Sequence, residues 1–191
     1  MDQVQEIARA IAQLDPAAKQ QLFQLLAARG DLPAPAAAAA PAAKQLDLPA
    51  PASGPDAAPD YVLVFDGGSR GNPGWGYGSY AITRVLDGAQ RLERLQLGDG
   101  YTSNEAEYDT LIAALHDLLQ RIEQAGRQPQ EFSLEVRGDS ALVINQVLGT
   151  WKAQEPRMKE RRDRCRRLLT RFGAVQIKAQ PREESVRLLG H

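Results

Sequence analysis

An alanine- and proline-rich segment at residues 31–60 divides the chain into two unequal parts. It holds 12 alanines and 7 prolines in 30 residues and has almost no large apolar side chains. Such a segment cannot bury enough apolar surface to offset the entropy lost on ordering, and its prolines keep it extended. We therefore expect a semi-rigid linker between residues 1–30 and residues 61–191.

Residues 1–30 carry the spacing of a small helical hairpin. Val4, Ile7 and Ile11 recur at helical intervals, and Asp15-Pro16 is typical of the start of a second helix. A unit of about 30 residues is below the size at which chains usually fold without help. We expect it to dock on the larger part, to self-associate or to bind a protein partner. The alternative is a solubilising appendage.

Composition excludes several classes of function. The 191 residues include one cysteine and two histidines and carry a net charge of −1. These values exclude a disulfide framework, a zinc site rich in cysteine or histidine and a uniformly basic nucleic-acid binder. The sequence contains no apolar stretch of about 18 residues and no visible secretory signal. We therefore expect a cytoplasmic protein that does not associate with membranes.

Residues 61–191 show the pattern of one mixed α/β domain. A glycine-rich turn is expected at 67–74, after the first strand. The predicted elements, in chain order, are strands at 61–65, 76–84 and 91–97, a helix at 102–124, a strand at 132–136, helices at 140–148 and 156–172, and a strand at 174–179. This order predicts a mixed sheet flanked by helices.

Three acidic residues lie where such a sheet would gather functional groups. Asp66 ends the first strand, Asp139 follows the fourth strand, and Glu107 lies near the start of the long helix. If the first and fourth strands are parallel neighbours, their carboxyl ends place Asp66 and Asp139 side by side. Close carboxylates repel unless a cation shares them, and clusters of oxygen ligands suit Mg²⁺ or Mn²⁺.

The acidic residues also have plain structural interpretations. Asp66 could begin a turn and Asp139 could cap a helix. Thr102 and Glu105 fit a capping box, which gives Glu105 a structural role and leaves Glu107 freer to face a metal. Helical periodicity does not choose between the two glutamates, because both flank the apolar stripe of the helix.

The glycine-rich stretch at 67–74 is not typical of a dinucleotide-binding loop. Such a loop runs directly into a helix, whereas strand-like residues that include Tyr77 and Tyr80 follow here. Glycines in this position instead let the backbone and the short side chains of Ser69 and Asn72 approach a ligand closely.

Three motifs, in this order and spacing, resemble ribonuclease H type 1, and most closely its short branch without the basic handle insertion. They are Phe65-Asp66-Gly67-Gly68-Ser69-Arg70-Gly71-Asn72-Pro73-Gly74, Ser103-Asn104-Glu105-Ala106-Glu107-Tyr108 and Gly138-Asp139-Ser140. Val147-Leu148-Gly149-Thr150-Trp151-Lys152 and Pro181-Arg182-Glu183-Glu184 are similar to that branch as well. The resemblance covers residues 61–191 and nothing before them.

The resemblance implies a ribonuclease H-like α/β fold, with a five-stranded mixed sheet and helices on both faces. It implies a metal-dependent endonuclease that cleaves the RNA strand of RNA–DNA hybrids and leaves 5′-phosphate and 3′-hydroxyl ends. Asp66, Glu107 and Asp139 match metal-binding carboxylates, which would hold two Mg²⁺ or Mn²⁺ ions during catalysis.

The resemblance also implies which residues touch the hybrid. Short polar groups can sense the 2′-hydroxyl in the wide minor groove of an A-like duplex. The residues expected at that groove are Gly67, Ser69, Asn72, Ser103 and Asn104. Arg182 matches a position that aids product release. Trp151 either stacks near a DNA sugar or belongs to the core, and the core is favoured.

A basic segment at residues 151–171, which includes Lys152, is expected to attract phosphates. It holds nine basic and three acidic residues, a net charge of +6. Binding that depends on such charges weakens as salt rises. The alternative is a solvated helix face for several of its arginines.

The chain departs from the family pattern at its last residues. The position of a fourth carboxylate falls on Leu189, Ser185 replaces an asparagine, and no final helix is expected. We predict that His191 serves as the missing metal ligand, which would favour Mn²⁺, the alternative being that His191 has no role. The alternative function is a catalytically weak nucleic-acid-binding protein with an incomplete metal site.

Overall fold

A computed structural model of the chain describes residues 58–190. The predicted hairpin at 1–30, most of the linker and His191 lie outside the described residues. The elements, in chain order, are strands β1 (Tyr61–Gly71), β2 (Gly74–Arg84) and β3 (Gln90–Tyr101), helix α1 (Ser103–Gln124), a 3-10 helix (Pro129–Glu131), strand β4 (Ser133–Gly138), helices α2 (Ala141–Leu148) and α3 (Pro156–Leu169), strand β5 (Ala174–Ala179) and helix α4 (Arg182–Leu189).

The five strands form one mixed sheet in the order β3-β2-β1-β4-β5. The pairs β1–β2 and β2–β3 are antiparallel hairpins, whereas β1–β4 and β4–β5 are parallel. Helix α1 lies between β3 and β4 in the chain, and α2 and α3 connect β4 to β5. The predicted mixed sheet is confirmed. The parallel register pairs Phe65 with Gly138, so Asp66 and Asp139 both follow directly at the same edge.

The main core lies between one face of the sheet and three helices. Leu63 and Phe65 of β1 and Val136 of β4 point into it. The apolar stripe predicted for the long helix is buried there in full: Tyr108, Leu111, Ile112, Leu115, Leu118, Leu119 and Ile122. Helices α2 and α3 close this side of the sheet. None of the helices formed by residues 58–190 is long and apolar enough to cross a membrane.

The opposite face of the sheet carries α4, and the expectation that the final helix is absent is wrong. Leu189 is fully buried against Val64 and Ala81, in a small second apolar cluster. The acidic first turn of α4 and a left-handed Gly190 at its end are ordinary helix signals. These local signals and the burial of Leu189 stabilise α4, although Leu189 stands where the family pattern has a carboxylate.

Two predicted boundaries also differ from the structure. The glycine-rich stretch expected to be a turn is mostly strand, because β1 continues to Gly71 and β2 begins at Gly74. The helix predicted at 156–172 ends at Leu169. Phe172 is nevertheless buried in the main core, as its apolar character predicts.

Candidate functional site

Asp66 and Glu107 meet where α1 approaches β1. Asp66 is buried at 4% exposure, and Gly67 follows it in the strand. A Cβ on Gly67 would lie 2.6 Å from the backbone carbon of Ala106 and from the nitrogen of Glu107. Only glycine permits this contact, which holds the first turns of α1 against the strand.

Asp139 reaches the same place from the end of β4. The helix cap of α2 is Ser140, whose hydroxyl accepts a hydrogen bond from the backbone N–H of Val143. The helix-capping interpretation of Asp139 is therefore wrong, and its carboxylate does not serve that purpose. Sequence reasoning did not single out Ser140, although a serine directly before an apolar helix is itself a capping signal.

One carboxylate oxygen from each of Asp66, Glu107 and Asp139 lies within 4.8 Å of the other two. The Oε2 oxygen of Glu107 is buried and has no hydrogen-bond partner within the described structure. An unpartnered buried acceptor beside two further carboxylates is unfavourable unless a cation joins them. The residues present therefore fit a divalent cation with oxygen ligands, such as Mg²⁺ or Mn²⁺.

Burial raises the pKa of Glu107 to about 8. A hydrogen bond from Ser140 acts against this shift, and the negative charges of Asp139 and Asp66 add to it. Without a cation, the cluster therefore keeps a proton on Glu107 near neutral pH.

The capping box predicted for the long helix is confirmed. The side chain of Thr102 accepts from the N–H of Glu105, and the carboxylate of Glu105 accepts from the N–H of Thr102 at 3.0 Å. Arg161 of α3 lies 3.4 Å from Glu105 and donates to both carboxylate oxygens of Asp109. Glu105 is thus used structurally, and the other glutamate, Glu107, faces the cluster.

The residues expected at the minor groove lie around the end of β1 and the start of α1. The hydroxyl of Ser69 donates to the carbonyl of Tyr101 at 2.7 Å. The backbone N–H of Ser103 donates to the side-chain oxygen of Asn72 at 3.4 Å. Asn72, Ser103 and Asn104 are exposed and form one surface with Ser69.

Arg182 lies beside the acidic cluster, with its guanidinium 3.6 Å from Asp139.

Trp151 is 51% exposed, so the preference for a core position is wrong. It lies in the loop after α2, outside the apolar core. Lys152 is exposed next to it. Leu189 points into the second apolar cluster, and His191 lies outside the described residues.

Comparison with known protein families and curated proteins gives consistent matches. The reverse transcriptase-like family matches residues 65–186. Ribonuclease HI of Halobacterium salinarum is 35% identical over 138 residues, which are 70% of this chain and 62% of that protein. A bifunctional protein of Mycobacterium tuberculosis is 33% identical over 122 residues, 63% of this chain and 31% of that protein. The chain thus spans less than two thirds of these relatives.

Solved structures agree with these matches. The Halobacterium ribonuclease H1 crystal structure has a TM-score of 0.57 and 36% identity, and the match covers 66% of this chain and 89% of that chain. LC11 ribonuclease H1, isolated from compost, has a TM-score of 0.60 and 31% identity, with coverage of 68% and 90%. LC11 ribonuclease H1 in complex with an RNA/DNA hybrid gives a TM-score of 0.57 and 30% identity, with coverage of 66% and 89%.

Proposed function

Because this chain belongs to the reverse transcriptase-like family and carries a ribonuclease H-like domain, we propose that it is a metal-dependent endonuclease. Its substrate is the RNA strand of an RNA–DNA hybrid, and its products end in 5′-phosphate and 3′-hydroxyl groups. The observation that carries the proposal is the carboxylate cluster of Asp66, Glu107 and Asp139, within 4.8 Å of one another.

In this proposal the three carboxylates hold Mg²⁺ or Mn²⁺, which supplies the positive charge for activating water and stabilising the leaving oxygen. Gly67 fixes the position of Glu107 through the contact between β1 and α1. The hydrogen bond of Ser140 favours the ionised form of Glu107. The guanidinium of Arg182 adds a cation next to Asp139, where a cleaved phosphate carries an extra negative charge.

Substrate recognition is assigned to the surface of Ser69, Asn72, Ser103 and Asn104. Their small polar groups lie together with the carboxylate cluster at the junction of β1 and α1. Side chains of this size fit a shallow minor groove and its 2′-hydroxyls. Trp151 and Lys152, both exposed, provide a stacking face and a phosphate contact at a separate loop. That LC11 ribonuclease H1 has been solved with an RNA/DNA hybrid supports this substrate class.

His191 is proposed as a further ligand that substitutes for the carboxylate replaced by Leu189. An imidazole ligand favours Mn²⁺ over Mg²⁺. The test is His191→Ala, assayed in each metal: a loss larger in Mn²⁺ than in Mg²⁺ supports the role, and equal turnover to the parent in both removes it.

The experiment that tests the proposed function uses hybrids labelled on one strand at a time. We expect fragments from the RNA strand only, dependent on Mg²⁺ or Mn²⁺ and abolished by chelator. A catalytically weak binding protein would shift the hybrid in a gel without producing fragments. Cleavage of the DNA strand, or of RNA in the presence of excess chelator, contradicts the proposal.

A further inference from the structure

A polar and aromatic surface extends from Asp66 along the face of the sheet that carries α4. Strand alternation places Arg70 on the same side of β1 as Asp66, and the register sets Trp75 of β2 opposite Arg70. Gln96 of β3 lies opposite Tyr77. We call this surface the Trp75 patch. Its members are Arg70, Trp75, Tyr77, Arg94 and Gln96.

The aromatic rings of the Trp75 patch are held in place and reachable from solvent. Trp75 is 47% exposed, and its indole N–H donates to the side-chain oxygen of Gln96 at 2.9 Å. The guanidinium of Arg70 lies 6.0 Å from the centre of the Tyr77 ring. An oriented, exposed indole beside a guanidinium is the combination that stacks nucleobases.

The charge of the Trp75 patch is purely positive. Arg91, on the other face of β3, pairs with Glu93 and Asp117. Arg70 and Arg94 have no carboxylate partner among residues 58–190, and both are exposed. Two unneutralised guanidinium groups next to aromatic rings complement a phosphate backbone whose bases are accessible.

The Trp75 patch is continuous with the proposed active site. Asp66 and Arg70 are four residues apart on one strand, a separation of about 13 Å. A nucleic-acid strand bound at the carboxylate cluster can therefore continue over Arg70 and Trp75. Bases within a duplex are stacked on each other, so only unpaired bases are free to lie on the Trp75 ring.

We propose that the Trp75 patch binds unpaired RNA that continues from the hybrid beyond the cleavage site. This inference rests on the proposed function, because it takes the carboxylate cluster as the point from which the RNA strand extends. It adds a preference to that function: hybrids with single-stranded RNA flanks bind more tightly than blunt hybrids of equal length.

Equilibrium binding in chelator measures this preference without cleavage. Blunt hybrids are compared with hybrids carrying a 5′ or a 3′ RNA overhang, by fluorescence anisotropy. We expect one of the two overhangs to increase the affinity about tenfold, as stacking of one base would. Trp75→Ala should lose the increase and keep the affinity for the blunt hybrid, and Trp75→Phe should retain most of it. Leu86→Ala, an exposed apolar residue outside the patch, is the matched control.

Tryptophan emission locates the contact. The chain has two tryptophans, so emission is compared between the parent and Trp75→Phe, in which Trp151 is the only indole. Additional saturable quenching by the overhanging hybrid over the blunt one, present in the parent and absent in Trp75→Phe, supports the proposal. Equal affinity of overhanging and blunt hybrids, or an equal loss for both in Trp75→Ala, overturns it.

The outcomes separate this inference from the proposed function. If labelled hybrids are cleaved but overhangs bring no increase in affinity, the Trp75 patch assignment is wrong and the nuclease assignment stands. If the overhang effect depends on Trp75 but no RNA fragments form, the patch still binds RNA and the nuclease assignment is wrong.

Discussion

Glu107 lies beside the carboxylates of Asp66 and Asp139, and its protonation couples the stability of the protein to pH. Its pKa is about 8 in the folded protein, against 4.5 as the ordinary value. Between these values the folded protein holds a proton that the unfolded chain has released. The free energy of unfolding therefore falls as pH rises through this window.

We predict that the melting temperature of the metal-free protein falls between about pH 5 and about pH 8 more steeply than that of Glu107→Gln. Added Mg²⁺ should raise the melting temperature of the parent more at the upper end of this range, because the cation replaces the proton. Thermal unfolding of both proteins, with and without Mg²⁺, measures this. Parallel pH profiles would contradict the assigned state of Glu107.

Gly67 is the second residue on which the geometry of the site depends. Its missing Cβ gives room to backbone atoms of α1, which cannot move without shifting Glu107. We predict that Gly67→Ala destabilises the fold by about 1–3 kcal/mol and lowers turnover about 100-fold. Gly68→Ala is the comparison, because its Cβ meets the side chain of Tyr77 and not the backbone of α1. Equal effects in the two variants would show that the α1 contact is not critical.

At the level of single residues, sequence predicted the acidic cluster better than its surroundings. Asp66 and Asp139 follow predicted strands. The capping box, which is visible in the sequence, gives Glu105 a structural role and so distinguishes it from Glu107. The exposure of Trp151 could not be predicted, because a tryptophan in a loop carries no periodicity that assigns it to a face. The hydrogen bond of Ser140 to Glu107 depends on contact between distant segments and leaves no local signal.

Among the elements, α4 depends on one buried apolar side chain, that of Leu189. Leu189 is fully buried against the sheet, whereas Val186 on the same helix is 37% exposed. We predict that Leu189→Ala lowers the free energy of unfolding by about 2–5 kcal/mol and that Val186→Ala lowers it by less than about 1 kcal/mol. Urea denaturation measures both, and similar values for the two variants would contradict the assigned packing of α4.

Gly67 explains why β1 was predicted too short. Glycine-rich sequence is typical of turns, but Gly67 is a position where α1 contacts the strand, as is Gly78 within β2. A Cβ on Gly78 would overlap the hydroxyl of Thr110. Such glycines mark close approach of another element within a strand. That approach is a property of the folded domain, so the local pattern alone favours a turn.

Across the whole molecule, the basic segment at 151–171 is partly consumed by internal contacts. Arg161 binds Asp109, Arg166 donates to the carbonyls of Gln146 and Val147, and Arg171 pairs with Glu123. The solvated-face alternative is therefore incomplete, because several arginines of the segment bind neighbouring elements, and the phosphate-binding interpretation stays a prediction. The exposed remainder, which includes Lys152, is available to phosphates.

The division expected from the sequence, with residues 1–30 and a linker before residues 61–191, leads to a prediction for truncation. Removing residues 1–57 should leave hybrid cleavage intact, because the carboxylate cluster and the surface around it lie within residues 58–190. Gel filtration of both forms shows whether self-association is lost with the removed residues. A truncated protein that is folded by circular dichroism but does not cleave hybrids would contradict this division of roles.

The most direct measurement of the central claim is hybrid cleavage by Asp139→Asn beside Asp99→Asn. Both changes remove one negative charge, but only Asp139 belongs to the acidic cluster, and Asp99 is an exposed residue of β3. We expect Asp139→Asn to abolish RNA cleavage in Mg²⁺ and Mn²⁺ while keeping the fold, and Asp99→Asn to cleave like the parent. Cleavage by Asp139→Asn at the parent rate would contradict the assignment of the active site.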